Sequence, residues 1–167
     1  VAVTGVQRVL FRSAVANLIG GGGGDDVIRG LAGADELFGS IGTDQVIGGD
    51  GADEVHGESG DDTLLGGAGD DLLFDDPVFG VVGNDALTGG SGNDQLFVRV
   101  GADTVDGGAG VDKLDFLVVV GGVVADLIAG TFGGAGLSGT VAGVENLRGG
   151  PGDDVLGGTT GPNVLDG

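Results

Sequence analysis

GGGGDDVIR GLAGADELF GSIGTDQVI GGDGADEVH GESGDDTLL GGAGDDLLF, residues 21–74, is one pattern written six times in blocks of nine. Every block has Gly at its first and fourth places, Asp at its sixth and an aliphatic residue at its eighth. The sixth-place carboxylates are Asp26, Asp35, Asp44, Asp53, Asp62 and Asp71; the eighth-place aliphatics are Ile28, Leu37, Val46, Val55, Leu64 and Leu73. A period held this long marks a repeat architecture, in which each unit buries its apolar residue only by stacking on its neighbours.

The pattern extends in both directions. Asn17 lies nine residues before Asp26, and Ile19 nine before Ile28. After Phe74, residues 75–79 (DDPVF) break the period by five. Pro77 cannot donate a ladder hydrogen bond, so this stretch reads as a bulged loop on the edge of the stack. The period resumes as GVVGNDALT, GGSGNDQLF, VRVGADTVD and GGAGVDKLD, with Asp85, Asp94, Asp103 and Asp112 at sixth place. Val98 and Arg99 replace the first two glycines of the third of these blocks, which makes the loop of Asp103 the weakest of the four. Residues 116–147 lose the period but keep apolar clusters such as FLVVVGGVVADLIAG. The run before Asp126 is too short to span a bilayer and suits strands rich in β-branched residues. Blocks GGPGDDVLG and GTTGPNVLD then follow, with Asp154 and Asn163 at sixth place; Asn163 offers one neutral oxygen and so a weaker site. Over all twelve blocks the fourth place is always Gly, the eighth always aliphatic and the sixth Asp in eleven, which a chance GGxGxD cannot imitate.

The spacing has a physical reading. Taken as a loop of six followed by a strand of three, each block points its eighth residue to one side and its seventh and ninth to the other. Glycine supplies the backbone angles of a tight loop and leaves carbonyl oxygens uncovered. Two blocks make one coil, so blocks 18 residues apart stack at about 4.8 Å. Asp26, Asp44 and Asp62 then fall in one column and Asp35, Asp53 and Asp71 in the other. Bare carboxylates at that spacing repel, and a hard divalent cation between successive loops reverses the sign. Calcium takes six to eight oxygens at roughly 2.3–2.6 Å, whereas Mg²⁺ prefers a small octahedron and keeps its waters. Zinc would find no cysteine and only His56 as an imidazole. The candidate ligands are the sixth-place carboxylates from Asp26 to Asp112 together with Asp154. Beside them stand backbone carbonyls near Gly22, Gly24, Gly33, Gly42, Gly49, Gly51, Gly60, Gly67, Gly69, Gly83, Gly90, Gly92, Gly101, Gly108 and Gly110.

These blocks resemble the RTX (repeats-in-toxin, hemolysin-type) calcium-binding nonapeptide, GGxGxDxUx. The resemblance implies an all-β fold, a right-handed parallel β-roll (a β-helix solenoid) with a column of Ca²⁺ along each edge. It also implies secretion by a type I export machinery and an extracellular or cell-surface location. The expected organisation is a roll over 14–115 with its bulge at 75–79, a divergent β-rich spacer over 116–148 and terminal repeats over 149–167. The spacer is expected to continue the roll with longer, calcium-free coils. Residues 3–13, VTGVQRVLFRS, resemble a translated sequencing-library adapter, so 1–13 are set aside as non-native; the alternative is an ordinary N-terminal segment that starts as a strand. The chain stops at Gly167, the first place of a further block, and so reads as a fragment cut at both ends.

Composition narrows the partners. Net charge is −20, with 26 acidic and 6 basic residues, which opposes nucleic acid and anionic membranes. In the low-calcium state such a chain is expected to be disordered. There is no cysteine, hence no disulfide scaffold and no thiol catalysis. No basic, apolar and small-residue succession marks a signal peptide, but the exporter implied by the family reads a C-terminal signal instead.

Catalytic signatures are missing. His56, the only histidine, sits at ninth place and reads as a solvated strand residue. No HExxH or GxSxG occurs, GAGLSG at 134–139 lacks a strand–turn–helix setting, and the carboxylate pairs Asp25–Asp26 and Asp61–Asp62 belong to the period. The rival functions are a piece of a secreted protease, lipase or epimerase with its activity elsewhere, and an adhesive or ice-binding face. The irregular third places, Gly23, Ala32, Ile41, Asp50, Ser59 and Ala68, with Thr only at Thr160, argue against ice.

Overall fold

The computed structural model describes residues 8–10, 15–75, 83–116, 119–134 and 136–167. After β1 (Arg8–Leu10) the chain lays down β2 (Leu18–Gly23), β3 (Val27–Ala32), β4 (Glu36–Ile41), β5 (Gln45–Asp50), β6 (Glu54–Ser59), β7 (Thr63–Ala68) and β8 (Leu72–Phe74). Beyond the insertion come β9 (Ala86–Ser91), β10 (Gln95–Phe97), β11 (Ala102–Ala109) and β12 (Lys113–Asp115). The last third holds β13 (Val124–Asp126), β14 (Thr131–Gly134), β15 (Leu137–Ala142), β16 (Asn146–Arg148), β17 (Val155–Gly157) and β18 (Leu165–Asp166). Among the described residues there is no helix, and so none long and apolar enough to cross a membrane.

The strands form two sheets, β1-β3-β5-β7-β9-β11-β15-β14-β13-β17 and β2-β4-β6-β8-β10-β12-β16-β18, with odd and even strands separated throughout except for β14. Through the repeats every pairing is parallel: Ile28 lies beside Val46, Val46 beside Leu64, and on the other sheet Leu37 beside Val55. Two blocks therefore make one coil of a parallel β-roll.

The division within a block differs from the expected one. In β2 to β7 and β9 the strand takes six residues, from a seventh place to the third place of the next block, and only the fourth to sixth places turn, whereas β8, β10 and β12 keep the expected three. Glycines of neighbouring coils stand in register, Gly49 beside Gly67 and Gly67 beside Gly90, so their backbones pair without side chains between them. Stacking thus overrides the poor strand propensity of glycine. Burial along such a strand runs exposed, buried, half-buried, buried, half-buried, exposed, which turns the eighth and first places inward. The eighth-place column, Ile28 to Leu114, is at most 1% exposed. Each such aliphatic contributes about 1.5–3 kcal/mol, but there is only one per strand.

The inward first place explains its glycine. A Cβ on Gly39 would lie 2.7 Å from Asp44 Oδ2 and 2.8 Å from the Gly57 carbonyl, closer than real Cβ contacts. Gly39→Ala is therefore expected to lower stability in saturating calcium by about 1–3 kcal/mol or more, read from the urea midpoint. Gly23→Ala, where a Cβ meets nothing within 4 Å, is expected to be near neutral. Equal effects at the two positions would refute this account of the first place. The second place is held in the left-handed region even where it is not glycine: φ is 83° at Leu31, 88° at Ser40 and 73° at Glu58. Each such residue costs about 1–2 kcal/mol, which the stacked coils must offset.

Across the insertion the spacing between partners grows from 18 to 23 residues, Leu64 facing Leu87 and Leu73 facing Leu96. The register is the same on both sides of the insertion; Pro77 and the rest of 76–82 lie outside the described residues. The spacer departs from the expected parallel coils. β13 pairs antiparallel with β14, and β14 antiparallel with β15. The reversal is local chemistry: Asp126 Oδ1 accepts from the backbone N–H groups of Ile128 (2.8 Å) and Ala129 (3.0 Å), and Gly130 follows at φ 69°. Parallel pairing returns through β13–β17 and β12–β16–β18. Leu165, an eighth-place residue, is 43% exposed because its strand has a neighbour on one side only. Of the segment set aside in the sequence, Arg8–Leu10 pairs with Val27–Arg29 as an edge strand, and the other residues of 1–13 lie outside the described set.

Candidate metal centre

The sixth-place Asp ends a three-residue turn, and in the blocks of Asp26, Asp35, Asp44, Asp53, Asp62, Asp71, Asp94, Asp112 and Asp154 its side chain folds back under the first-place glycine of its own block. Ten of them, Asp26 through Asp112, are 0–3% exposed, and Asp154 is half-buried. Their Oδ1 atoms are held by the adjacent coil. Asp44 Oδ1 accepts from the N–H of Asp26 at 2.7 Å, Asp62 from Asp44 at 2.7 Å, Asp85 from Asp62 at 2.7 Å and Asp103 from Asp85 at 2.9 Å. On the other edge Asp53 accepts from Asp35 at 2.8 Å, Asp71 from Asp53 at 2.8 Å, Asp94 from Asp71 at 2.9 Å and Asp112 from Asp94 at 2.7 Å. These bonds trace two unbroken columns.

The second oxygen is treated differently. Oδ2 of Asp35, Asp44, Asp53, Asp62, Asp71, Asp94, Asp103, Asp112 and Asp154 is buried and has no hydrogen-bond partner among the described residues. A buried charged oxygen without a partner costs several kcal/mol. Near Asp44 the space beside Oδ2 is the one a Cβ on Gly39 would fill, with the Gly57 carbonyl oxygen facing it. The result is a cradle lined by a carboxylate oxygen and a carbonyl oxygen. The second- and fourth-place glycines shape the rest of the turn. Gly22, Gly24, Gly33, Gly42, Gly49, Gly51, Gly60, Gly67, Gly69, Gly90, Gly92, Gly108 and Gly110 have φ between 100° and 154°.

Electrostatics agrees with the geometry. Burial raises the carboxyls of Asp44, Asp53, Asp94 and Asp112 above their ordinary range, and takes Asp62 and Asp103 to about 6 and Asp71 to about 7. The N–H donated by the adjacent coil pulls the other way, and neighbouring carboxylates add to the rise at all of these but Asp103. Asp115 is the contrast. It is as buried as the others but carries Lys113 Nζ at 2.9 Å and Arg148 at 3.7 Å. The chain neutralises that carboxylate with its own cations.

Two participants escape the sequence pattern. Glu145 Oε2 accepts from the N–H of Asp112 at 2.9 Å and continues the second column, where Asn163 Nδ2 in turn reaches the Glu145 carbonyl. Residues 140–148, TVAGVENLR, are a block in phase, with Gly143 fourth and Leu147 eighth; Glu at sixth place hid it. Asp75, outside the period, is buried beside Asp85 and Asp103. Asp154 stands apart from both columns, accepting from the N–H of Val123 at 2.8 Å beside β13.

His56 is not solvated as its place in the sequence suggests. Its side chain is 12% exposed and stacks between Phe38 and Phe74 at centroid distances of 4.6 and 4.7 Å, with Phe97 next at 4.4 Å. Its Nε2 meets Glu54 at 3.1 Å. Ninth places of alternate blocks thus form an aromatic ladder, and His56 is one of its rungs.

The model of the RTX calcium-binding nonapeptide repeat matches four times, over residues 20–55, 38–73, 79–114 and 141–167. The chain belongs to this family. No curated protein matches it closely enough to be a relative. RTX nonapeptide repeats bind Ca²⁺, and the buried, inward-facing aspartates of this RTX chain are of the kind that binding requires. The repeat region is a calcium-binding structural module and not a catalytic one.

Proposed function

We propose that calcium ions lie between successive turns along both columns of this RTX module, and that their binding folds it once it has left the cell. The ligands are Oδ2 of the sixth-place aspartates with turn carbonyls at the second- and fourth-place glycines and, beside Asp44, the first-place carbonyl of Gly57. The observation that carries this reading is the set of buried Oδ2 atoms without a donor. A cation is what such oxygens lack, and a cradle of carboxylate and carbonyl oxygens suits a hard one. Bound calcium neutralises the columns and bridges one coil to the next, so binding free energy becomes folding free energy.

The wider setting follows from the charge. At −20 the chain repels itself where calcium is scarce, a state suited to threading through a type I exporter. Outside the cell, sites with affinities of about 10⁻⁴–10⁻³ M fill. The module would then serve a secreted or surface bacterial protein whose activity, as protease, lipase, epimerase or adhesin, lies in sequence beyond this chain. Isothermal titration at neutral pH is expected to show several calcium ions bound per chain with measurable heat. A flat isotherm up to millimolar calcium would rule the reading out.

A further inference from the structure

The coil at the insertion carries a carboxylate where the preceding coils carry none. Asp75 follows β8 at the inward first place, in line with Gly21, Gly39 and Gly57; its carbonyl accepts from the N–H of Glu58 at 2.8 Å. Asp75 is 2% exposed, and its Oδ2 accepts from the N–H of Arg99 at 2.6 Å. Asp75, Asp85 and Asp103 each bring a carboxylate oxygen to within 4.8 Å of the other two. Among the described residues no other three acidic, histidine or cysteine side chains gather in this way. Asp103, 1% exposed, holds Asp85 N–H with Oδ1 and has no hydrogen-bond partner for Oδ2 among the described residues.

An oxygen triangle with edges up to 4.8 Å fits a calcium coordination sphere, whose opposite ligands stand about 5 Å apart, better than the roughly 4 Å span of magnesium. Adjacent turns elsewhere in the columns present two carboxylates; here there are three, and affinity rises with ligand charge. The trio also bears on Val98 and Arg99, the replacements that made the loop of Asp103 look weak. Val98 is fully buried and packs into the core at the place of the lost glycine, while Asp75 supplies the missing ligand from the strand before.

We propose that Asp75, Asp85 and Asp103 form a calcium site tighter than the repeat sites, which loads first and anchors the insertion to the stack. The proposal rests on the calcium reading of the columns. Its test is a titration of the full chain with calcium, in chelator-buffered solution at neutral pH. Asp75→Asn and Asp75→Gly, the latter restoring the residue of the preceding coils, are compared with wild type and with Asp50→Asn at an exposed third place. Wild type and Asp50→Asn are expected to show a tightest step of one ion, which both Asp75 variants lose, their first ion binding roughly tenfold or more weakly. Circular dichroism of Asp75→Gly is expected to reach that of wild type at saturating calcium. A tightest step unchanged in both Asp75 variants, or loss of every step together in both, would overturn the site. A wild type that binds no calcium would instead overturn the reading beneath it.

Discussion

In a chelator at neutral pH the chain is expected to lose both sheets, and to regain them on titration with calcium or, without calcium, on mild acidification. Without metal, burial raises folded-state carboxyls above the ordinary value of 3.8, to about 6 for Asp62 and Asp103 and about 7 for Asp71. A group whose folded pKa is raised contributes stability that is fully present below its unfolded pKa and is lost as pH rises through the folded one. Stability of the metal-free chain therefore falls between about pH 4 and pH 7, and several such groups act together. Calcium inverts the dependence, because it binds the deprotonated form. Its midpoint is expected to move to higher calcium concentration as pH falls through the same window. Far-ultraviolet circular dichroism in chelator at pH 5 and pH 7.5, then at pH 7.5 with calcium, checks all three limbs. A chain already β-rich in chelator at pH 7.5 would contradict the first, and equal spectra at the two acidities would contradict the second.

How much of this was legible beforehand follows from what a period can encode. A nine-residue period names the residues that repeat, so the two columns, the inward eighth place and the coil of two blocks could be read from Asp26 to Asp112 directly. It does not say where a strand ends. The glycines of the first three places look like loop to propensity, yet they lie in strands because identical backbones stack on them. His56 reads as solvated for a related reason: its neighbours in the fold are 18 residues away, and only the ninth-place series Phe38, His56, Phe74 shows the ladder. Asp75 sits outside the period altogether, and Glu145 sits within it under another residue type. The antiparallel turn after Asp126 depends on one side chain closing on its own backbone, which apolar clusters without a period do not announce.

Asp53 is where the two roles of a column residue can be separated. Its Oδ1 accepts from the N–H of Asp35 at 2.8 Å, its own N–H donates to Asp71 Oδ1 at 2.8 Å, and its Oδ2 has no partner among the described residues. Asp53→Ala removes the acceptor and the candidate ligand together. It leaves the N–H of Asp35 buried without a partner, at a cost of about 1–3 kcal/mol, in addition to the bound calcium it forfeits. Asp53→Asn keeps an oxygen for that N–H and removes only the charge. At pH 5 in chelator, where the metal-free chain is expected to be folded, Asn should be no less stable than wild type, because it relieves the unfavourable burial of the charge and its repulsion by Asp35 and Asp50. Alanine should be weaker there by the cost of the orphaned N–H. In saturating calcium at pH 7.5 both variants should unfold at lower urea than wild type, alanine the more so, and both should bind up to two fewer ions, since one carboxylate faces the turn before and the turn after. Urea midpoints under the two conditions, with an ion count by equilibrium dialysis, separate the terms. An Asn variant that keeps the full count and the wild-type midpoint in calcium would show that the charge at Asp53 holds no metal, and that the columns are stabilised by their hydrogen bonds alone.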